Sequence, residues 1–243
     1  MIGCIIQARL GSTRLPKKVL LPVNLSDSIL SFGIKQIQQS TLIDKLIIAT
    51  TELPEDDELV NYIKKLNIPV FRGNSVDVLD RYYQCAKKFS FSVIVRITSD
   101  CPLIDPIIVD EVISNFINNK NLFDYASNVH PQRTFPHGSD IEIFTFKALE
   151  TAWKEAKKSS EREHVTPYLY NNKKFKLFNH ISKNDLSNFR WTVDYLEDLD
   201  LVRQIISKIK IRPILIKDVL TLLSDNLELK KINQKYQKNR VIK

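Results

Sequence analysis

Glycine, cysteine and long apolar runs are all scarce in this sequence of 243 residues. Five glycines argue against a glycine-rich cofactor loop. The three cysteines, Cys4, Cys85 and Cys101, are an odd number without metal-ligand spacing, so a reducing cytoplasm is the expected location. No apolar run approaches the roughly 18 residues that span a bilayer, and the first residues lack the basic flank of a signal peptide. We therefore expect neither membrane insertion nor export.

The positive charge of the chain is concentrated at its C-terminal end. Of the net charge of +8, six units belong to Lys and Arg side chains of residues 230–243, which contain no acid, so the remainder carries only +2. A nucleic-acid-binding module would need a basic face on the folded body, and this small charge argues against one. We predict a basic, solvated tail over residues 226–243, with contact between this tail and an anionic partner as the alternative.

Short apolar runs alternate with amphipathic stretches through the first half of the chain. This alternation predicts crossover units and an α/β fold with a mainly parallel sheet and helices on both faces. The predicted strands are 3–8, 45–50, 69–71 and 93–98, then 124–129, 140–144, 175–181 and 190–195. The predicted helices are 29–39, 55–66, 76–89, 106–118 and 147–158, followed by two more. We assign residues 1–225 to one domain with a C-terminal helical piece, and expect ligands at the carboxyl ends of the strands.

A cationic loop follows the first predicted strand. It contains four cations and no acid between positions 9 and 18: Arg9, Arg14, Lys17 and Lys18. Gly11 allows a tight turn or a positive φ, and Ser12 adds a hydroxyl donor beside exposed backbone amides. Such a loop suits a polyphosphate, although a solvated basic loop is the simpler alternative. The Walker and dinucleotide motifs are both excluded, because the first requires Gly-Lys-Ser/Thr and the second three spaced glycines.

Carboxylates and histidines supply the other candidate site residues. Asp100 ends the fourth predicted strand, where it is placed to hold Mg²⁺ against a triphosphate or to cap a helix. Asp105 precedes a proline and is assigned as a structural helix cap. Asp140 and Glu142 lie at i and i+2 on one strand face, where sugar hydroxyls, water or a cation would relieve their repulsion. His164 is either a general base for an acceptor hydroxyl or a structural side chain.

Several segments together resemble the cytidylyltransferases that make CMP-activated sugar acids, most closely those of the spore coat polysaccharide biosynthesis type. The matching segments are ARLGSTRLPKK (8–18), FRG (71–73), DVLDRY (77–82), RITSDCPLID (96–105) and EREHVTP (161–167). The resemblance extends from residue 2 to about residue 200. Two positions depart from the usual pattern, since Lys17 and Ser99 stand where glycine is usual. The resemblance implies the Rossmann-like fold of the nucleotide-diphospho-sugar transferases.

The resemblance also implies a reaction and its ligands. CTP and a small sugar acid, a nine-carbon or related 2-keto acid, would give a CMP-sugar and pyrophosphate, with Mg²⁺ as cofactor. Arg9, Arg14 and Lys18 would neutralise the β- and γ-phosphates, and Ser12 would donate to a phosphate oxygen. Asp194, at the end of a predicted strand, would join Asp100 as a metal ligand, with a helix N-cap as its alternative. A homodimer is expected by analogy, and phosphonates or other sugars stay open as acceptors.

The nucleotide side of the site is assigned to residues after the first and third predicted strands: Ala8, Gly11, Arg72, Gly73, Asp77 and Arg81. By the resemblance this region faces the nucleotide. A purely structural reading pairs Asp77 with Arg81 at i,i+4 on one helix.

Two other functions remain as alternatives. A nucleotide-sugar-dependent glycosyltransferase of similar architecture would usually show two acids flanking one residue, whereas the fourth predicted strand ends with only one acid, Asp100. A non-catalytic nucleotide-binding scaffold would not need Arg9, Lys18 and Asp100 together. Both alternatives are therefore less favoured than the cytidylyltransferase.

Overall fold

A computed structural model describes residues 1–119 and 122–236 and contains one seven-stranded mixed sheet in the order β3-β2-β1-β4-β6-β5-β7. The strands are β1 (Ile2–Gln7), β2 (Lys45–Thr51), β3 (Val70–Gly73), β4 (Val93–Thr98), β5 (Tyr125–Ser127), β6 (Glu142–Thr145) and β7 (Leu177–Asn179). β3, β2, β1 and β4 pair in parallel, and β6 is antiparallel to both β4 and β5. The predicted α/β class with a mainly parallel sheet is confirmed.

Ten α-helices connect and flank these strands in the described part of the chain. They are α1 (Ile29–Ile37), α2 (Asp57–Lys65), α3 (Val78–Lys88), α4 (Pro106–Asn118), α5 (Phe146–Glu155), α6 (Ser159–His164), α7 (Pro167–Tyr170), α8 (Leu196–Lys208), α9 (Ile216–Asp225) and α10 (Leu227–Lys231). Short 3₁₀ helices cover Lys18–Leu20, Pro54–Asp56 and Gln234–Tyr236. Asp105 caps α4 as predicted, accepting hydrogen bonds from the backbone of Ile107 and Ile108. None of the described helices is long and apolar enough to cross a membrane.

Alternate side chains of the strands enter two different cores, as the pleat of a strand requires. Cys4 and Ile6 of β1 pack into one cluster with α1, α2 and α4. Ile5, between them, packs into a second cluster with α3 and α5 on the other face. The two buried faces explain why these strands are apolar throughout rather than alternating. They also hold the strand ends, and the loops that follow them, in fixed register.

The segment from Arg190 to Tyr195 is not a strand, which corrects the prediction made for it. Arg190 forms only an isolated bridge with His137. The alternation that suggested a strand has another cause, because Trp191 and Val193 are fully buried in a third core cluster with α8 and α9. Backbone hydrogen bonds tie the segment to the neighbouring loops, with Val193 N donating to Asp100 O at 2.8 Å. Asp194 therefore follows an extended loop rather than a strand.

The described part of the predicted basic tail packs against the domain. Leu229 of α10 is buried in the third cluster. Asn233, two residues after the end of α10, is completely inaccessible to solvent. Tyr236 stacks on Tyr195 with the ring centroids 3.9 Å apart. The remaining part of that predicted tail, residues 237–243, lies outside the described residues.

Gly138 lies where the loop before β6 passes closest to the 190–195 segment. Its φ is +100°, a conformation that side chains disfavour, and an added Cβ would lie 2.4 Å from Thr192 N. His137 O, one residue earlier, accepts hydrogen bonds from Trp191 N and Thr192 N. A glycine is therefore required for this close backbone approach.

We expect Gly138→Ala to lower the free energy of unfolding by at least about 2 kcal/mol, since the strained φ and the steric clash both oppose the native state. Gly11→Ala is the matched control, because its Cβ would meet only the flexible end of Glu55, at 3.2 Å, and should cost under about 1 kcal/mol. Urea denaturation of both variants measures the difference. Equal destabilisation would contradict the close-approach argument.

Candidate active site

A cleft of about 840 Å³ opens at the carboxyl ends of β1 and β4. Four regions contribute its walls: the loop after β1, the start of α3, the end of β4, and α6. Of the predicted site residues, the structure brings ten to this cleft: Ala8, Arg9, Gly11, Ser12, Arg14, Lys18, Asp77, Arg81, Asp100 and His164. This cleft thus lies at the strand-end position expected for a ligand site.

One hydrogen bond links the two ends of the loop after β1, and another attaches the loop to Asp56. Lys17 N donates to Leu10 O at 3.2 Å, and Leu10 N donates to the buried carboxylate of Asp56 at 2.8 Å. Lys17 adopts a left-handed conformation with φ 53°, which explains why glycine is the usual residue at this position in the family that the loop resembles. Gly11 does not use a positive φ, so the strained position of the loop lies six residues later than expected.

The cations of this loop differ in how they are held. Arg9 is exposed and lines the cleft without a hydrogen bond or ion pair to any other described residue. Arg14 has half of its side chain exposed and donates from Nη2 to Asp194 Oδ1 at 2.6 Å. Lys17 points to Glu58 and is absent from the cleft lining. Arg9 is therefore the loop cation most available to an anionic ligand.

The Lys18 ammonium is surrounded by three oxygens at the junction of the loop with β4. Its Nζ lies 2.9 Å from Asp100 Oδ2, 2.9 Å from Asp194 Oδ1 and 2.8 Å from Val193 O. Burial lowers the pKa of Lys18, but the two carboxylates outweigh this effect, so its pKa is raised and the side chain stays charged. These oxygens form a small cage that already holds one cation.

The donor set of this cage fits Mg²⁺. Mg²⁺ prefers one or two carboxylates together with substrate phosphates and water, and the cage presents Asp100 and Asp194 beside a cationic loop. No group of three or more His, Cys, Asp or Glu side chains in residues 1–119 and 122–236 is arranged to hold a metal alone. A metal in this cage would therefore complete its coordination with ligand oxygens and water.

Asp194 is held from two sides. Arg14 approaches Oδ1, and the buried Arg190 donates from Nη2 to Oδ2 at 3.0 Å. Burial raises the pKa of Asp194, but Lys18, Arg190 and Arg14 outweigh it and lower the pKa to about 2. Asp198, fully buried at the start of α8, pairs with the same Arg190 and accepts a hydrogen bond from Asp194 N at 3.0 Å. The N-cap position considered for Asp194 is instead occupied by Tyr195, whose backbone N donates to Asp198 Oδ2 at 3.1 Å.

Asp100 is positioned by its own strand end. Thr98 Oγ1 donates to Asp100 Oδ1 at 2.6 Å, which leaves Oδ2 for Lys18. Its backbone oxygen accepts from Val193 N, so the end of β4 and the segment bearing Asp194 are hydrogen-bonded to each other. This backbone pairing brings both carboxylates within hydrogen-bond distance of one ammonium.

At the start of α3, Asp77 and Arg81 line the cleft but do not pair with each other. Asp77 caps the helix by accepting from Asp80 N, and its Oδ2 forms an ion pair with Arg162 of α6. Arg81 is buried and donates to the backbone oxygen of Asn74 at 2.9 and 2.7 Å. The i,i+4 pair considered for these residues is therefore not formed.

Arg72 and Gly73 are not brought to the cleft. Arg72 donates to the backbone oxygens of Thr51 and Leu53 and pairs with Asp57, so it ties β3 to the loop before α2. A Cβ on Gly73 would lie 2.9 Å from the Phe71 ring, which identifies tight packing as the reason for this glycine. The nucleotide contacts predicted for both residues have no counterpart in this geometry.

Asp140 and Glu142 are separated by their partners. Asp140 forms a two-armed ion pair with Arg133 and lines a second cavity of about 130 Å³, which also includes Asp100, Asp194 and His137. Burial raises the pKa of Asp140, but Arg133 outweighs it and lowers the pKa. Glu142 is buried outside both cavities, where it pairs with Arg96 and accepts from Tyr125 OH at 2.7 Å. An arginine on each carboxylate explains why both acids are tolerated so close in sequence.

Two arginines that line the cleft were not predicted as site residues from the sequence. Arg96 points from β4 into the cleft floor and bonds Glu142 and Gln7, and its buried Nε has no hydrogen-bond partner among the described residues. Arg162 of α6 lines the same cleft, two residues before the exposed His164. Both lie inside segments quoted for the family resemblance. Arg96 could have been found as a cation on a predicted strand, whereas Arg162 lies between predicted elements and gave no such signal.

Protonation of Asp194 should destabilise the fold below about pH 4. In the folded state its pKa is lowered from the ordinary value of 3.8 to about 2. The ionised carboxylate therefore stabilises the fold fully above about pH 4, and this stabilisation is lost as the pH falls through about 2. The loss amounts to about 2 kcal/mol. Urea denaturation in EDTA between pH 5 and pH 2 should show a shallower decline for Asp194→Asn than for the wild type. The exposed Asp200→Asn control should follow the wild type; parallel curves for all three proteins would refute the assignment.

Several known proteins are similar to this chain in sequence. The sequence profile of the family described as "Cytidylyltransferase" matches residues 3–241. The chain is 39% identical over 232 residues to an uncharacterized protein of Methanocaldococcus jannaschii, covering 94% of this chain and 93% of the relative. It is 31% identical over 231 residues to the spore coat polysaccharide biosynthesis protein SpsF of Bacillus subtilis, covering 91% and 93%.

A solved structure gives the same result in three dimensions. A cytidylyltransferase from Leptospira borgpetersenii superposes with a TM-score of 0.90 at 35% identity, covering 100% of this chain and 98% of the other. The Rossmann-like nucleotidyltransferase fold implied by the sequence is thereby confirmed, and so is the resemblance to the spore coat type. The chain belongs to the cytidylyltransferase family.

Proposed function

We propose that this protein transfers CMP from CTP to a hydroxyl of a small sugar acid, releasing pyrophosphate, for the synthesis of a surface polysaccharide or another glycan. The observation that carries the proposal is the oxygen cage around Lys18, because two carboxylates, Asp100 and Asp194, lie there around one cation beside a cationic loop. A cleft of about 840 Å³ adjoins this cage and is large enough for a nucleotide.

Asp100 and Asp194 are the residues that would hold Mg²⁺. When bound there, the ion would supply Lewis-acid polarisation of the α-phosphate and neutralise its developing charge. The protein would then contribute mainly positioning and charge, as in other transfers to phosphorus. Lys18 would leave its place between the carboxylates and contact the phosphates instead.

The triphosphate would lie along the loop after β1. Arg9 has no competing partner in the described structure, so it would bind a phosphate without breaking an existing ion pair. Arg14 and Ser12 lie further along the same loop and would donate to the remaining phosphate oxygens. Pyrophosphate, as the leaving group, would remain with these cations while the α-phosphate is transferred.

The acceptor would occupy the space between the cage and the second cavity. Asp140 lines that cavity together with both cage carboxylates and is held by Arg133, and its oxygens would accept hydrogen bonds from sugar hydroxyls. His164, on the α6 wall of the main cleft, is a candidate base for the attacking hydroxyl. Glu142 would act indirectly, through its ion pair with Arg96.

A thermal-shift experiment tests nucleotide selectivity without knowledge of the acceptor. With Mg²⁺ present, we expect CTP at about 100 times its dissociation constant to stabilise the protein by about 2.7 kcal/mol, and UTP, ATP and GTP to stabilise it less. Arg9→Ala should abolish most of the CTP shift. Arg72→Ala is the matched control, because this arginine lies outside the cleft and the variant should keep its CTP shift. A selective shift with another nucleotide would replace CTP in the proposal.

The role of Asp100 is tested by turnover. Asp100→Ala should lower the rate of pyrophosphate release by at least about 100-fold, as expected for loss of a metal ligand, while CTP affinity falls less because the loop cations remain. Pyrophosphate release across a panel of 2-keto sugar acids, with mass detection of the CMP product, measures this loss. Asp185→Ala, in an exposed loop, is the control. Near-normal turnover by Asp100→Ala would refute the metal role.

A further inference from the structure

The C-terminal segment, defined here as residues 227–236, is joined to the candidate metal ligand Asp194 by two separate chains of contacts. α10 and the 3₁₀ turn that follows it pack on the third core cluster through Leu229. Two side chains of this segment contact residues around Asp194: Asn233 and Tyr236. Neither lines the main cleft, so both act on it through other residues.

The first chain of contacts passes through buried charges. Asn233 Nδ2 donates to Asp198 Oδ1 at 2.8 Å and to Arg190 O at 3.1 Å. Asp198 in turn binds Arg190, whose Nη2 donates to Asp194 Oδ2 at 3.0 Å. Asn233, Asp198 and Arg190 are almost completely buried, so these charge-assisted hydrogen bonds are shielded from solvent.

The second chain of contacts passes through stacked rings. Tyr236 lies parallel to Tyr195, with an interplanar angle of 4° and a centroid separation of 3.9 Å. The Arg14 guanidinium carbon lies 5.5 Å from the centroid of the same Tyr195 ring, and Arg14 Nη2 donates to Asp194 Oδ1. Tyr236 OH donates to Glu197 Oε2 at 3.0 Å, which fixes the ring on α8. The two oxygens of Asp194 are therefore each oriented by an arginine that the C-terminal segment supports.

We propose that Asn233 and Tyr236 are positioning residues, which hold Asp194 and Arg14 in the geometry needed to bind a divalent cation and a triphosphate. The role rests on the proposed function, because it assigns the metal to Asp194. Such outer contacts fix the direction of a ligand carboxylate, and their loss typically weakens metal binding by about 10- to 100-fold. The C-terminal segment is then part of the active site rather than an appendage.

The test is a titration of the full-length protein with Mn²⁺, followed by electron paramagnetic resonance, with thermal unfolding measured in parallel. Tyr236→Ala and Asn233→Ala should weaken Mn²⁺ binding about 10-fold. Tyr236→Phe keeps the stacked ring but loses the hydrogen bond to Glu197, and it should bind Mn²⁺ as the wild type does. Weaker Mn²⁺ binding by this variant would assign the effect to the Glu197 contact and not to the stacked ring. Because Tyr236 is only half-buried, its variants remain folded even if Asn233→Ala does not.

Two controls separate positioning from stability. Leu223→Ala removes a buried side chain from the same core cluster and should lower the unfolding temperature without weakening Mn²⁺ binding. Lys231→Ala removes an exposed ion pair with Glu228 in the same segment and should change neither. Unchanged Mn²⁺ affinity in folded Tyr236→Ala would overturn the proposal, as would equal losses in Tyr236→Ala and Leu223→Ala.

The same samples distinguish this proposal from the proposed function. Wild-type protein that binds Mn²⁺ but shows no thermal shift with CTP would overturn the cytidylyltransferase reaction while the variants still decide the positioning role. A normal CTP shift together with unaffected variants would overturn the positioning role alone.

Discussion

The ammonium of Lys18, held between the carboxylates of Asp100 and Asp194, is the interaction on which the candidate site depends. It joins three parts of the chain that are far apart in sequence: the loop after β1, the end of β4 and the segment before α8. Buried charges are tolerated only when they are paired and hydrogen-bonded. Here three carboxylates meet three cations, since Arg14 and Arg190 complete the set with Asp198. Removing any one of them would leave an unbalanced charge at the cleft.

The sheet explains how these parts arrive at one place. Parallel pairing of β1 with β4 puts the ends of both strands at the same edge, with Gln7 opposite Thr98. The loop bearing Lys18 and the turn bearing Asp100 therefore emerge side by side. The third part arrives differently, because the segment bearing Asp194 is anchored by backbone hydrogen bonds to Asp100 and by its own buried apolar side chains. One carboxylate is placed by regular structure and the other by packing.

The sequence predicted those parts of the fold and of the candidate site that follow from local sequence pattern. The alternation of strands and helices predicted the sheet, and the loop after β1 and Asp100 were found because each directly follows a strand. Arg72 follows the predicted third strand and lies within β3, but its long side chain turns back to the neighbouring loop, and no local pattern reveals that direction. Arg190 was not singled out, because its role depends on burial beside Asp198, which only the tertiary fold creates. Contacts between distant segments, such as Asn233 with Asp198, leave no periodic signal.

Lys17 shows how one residue alters the readiness of the loop for a ligand. A side chain in the left-handed conformation costs about 1 kcal/mol in the folded state relative to glycine. Compared with glycine, a side chain at this position also leaves the backbone fewer allowed conformations, so the unliganded loop samples fewer arrangements. Less conformational entropy would then remain to be lost if the loop bound a phosphate as proposed. Lys17, which departs from the family pattern, therefore makes the loop more rigid at a cost in native-state strain, and part of the entropic cost of binding a ligand there would be met during folding.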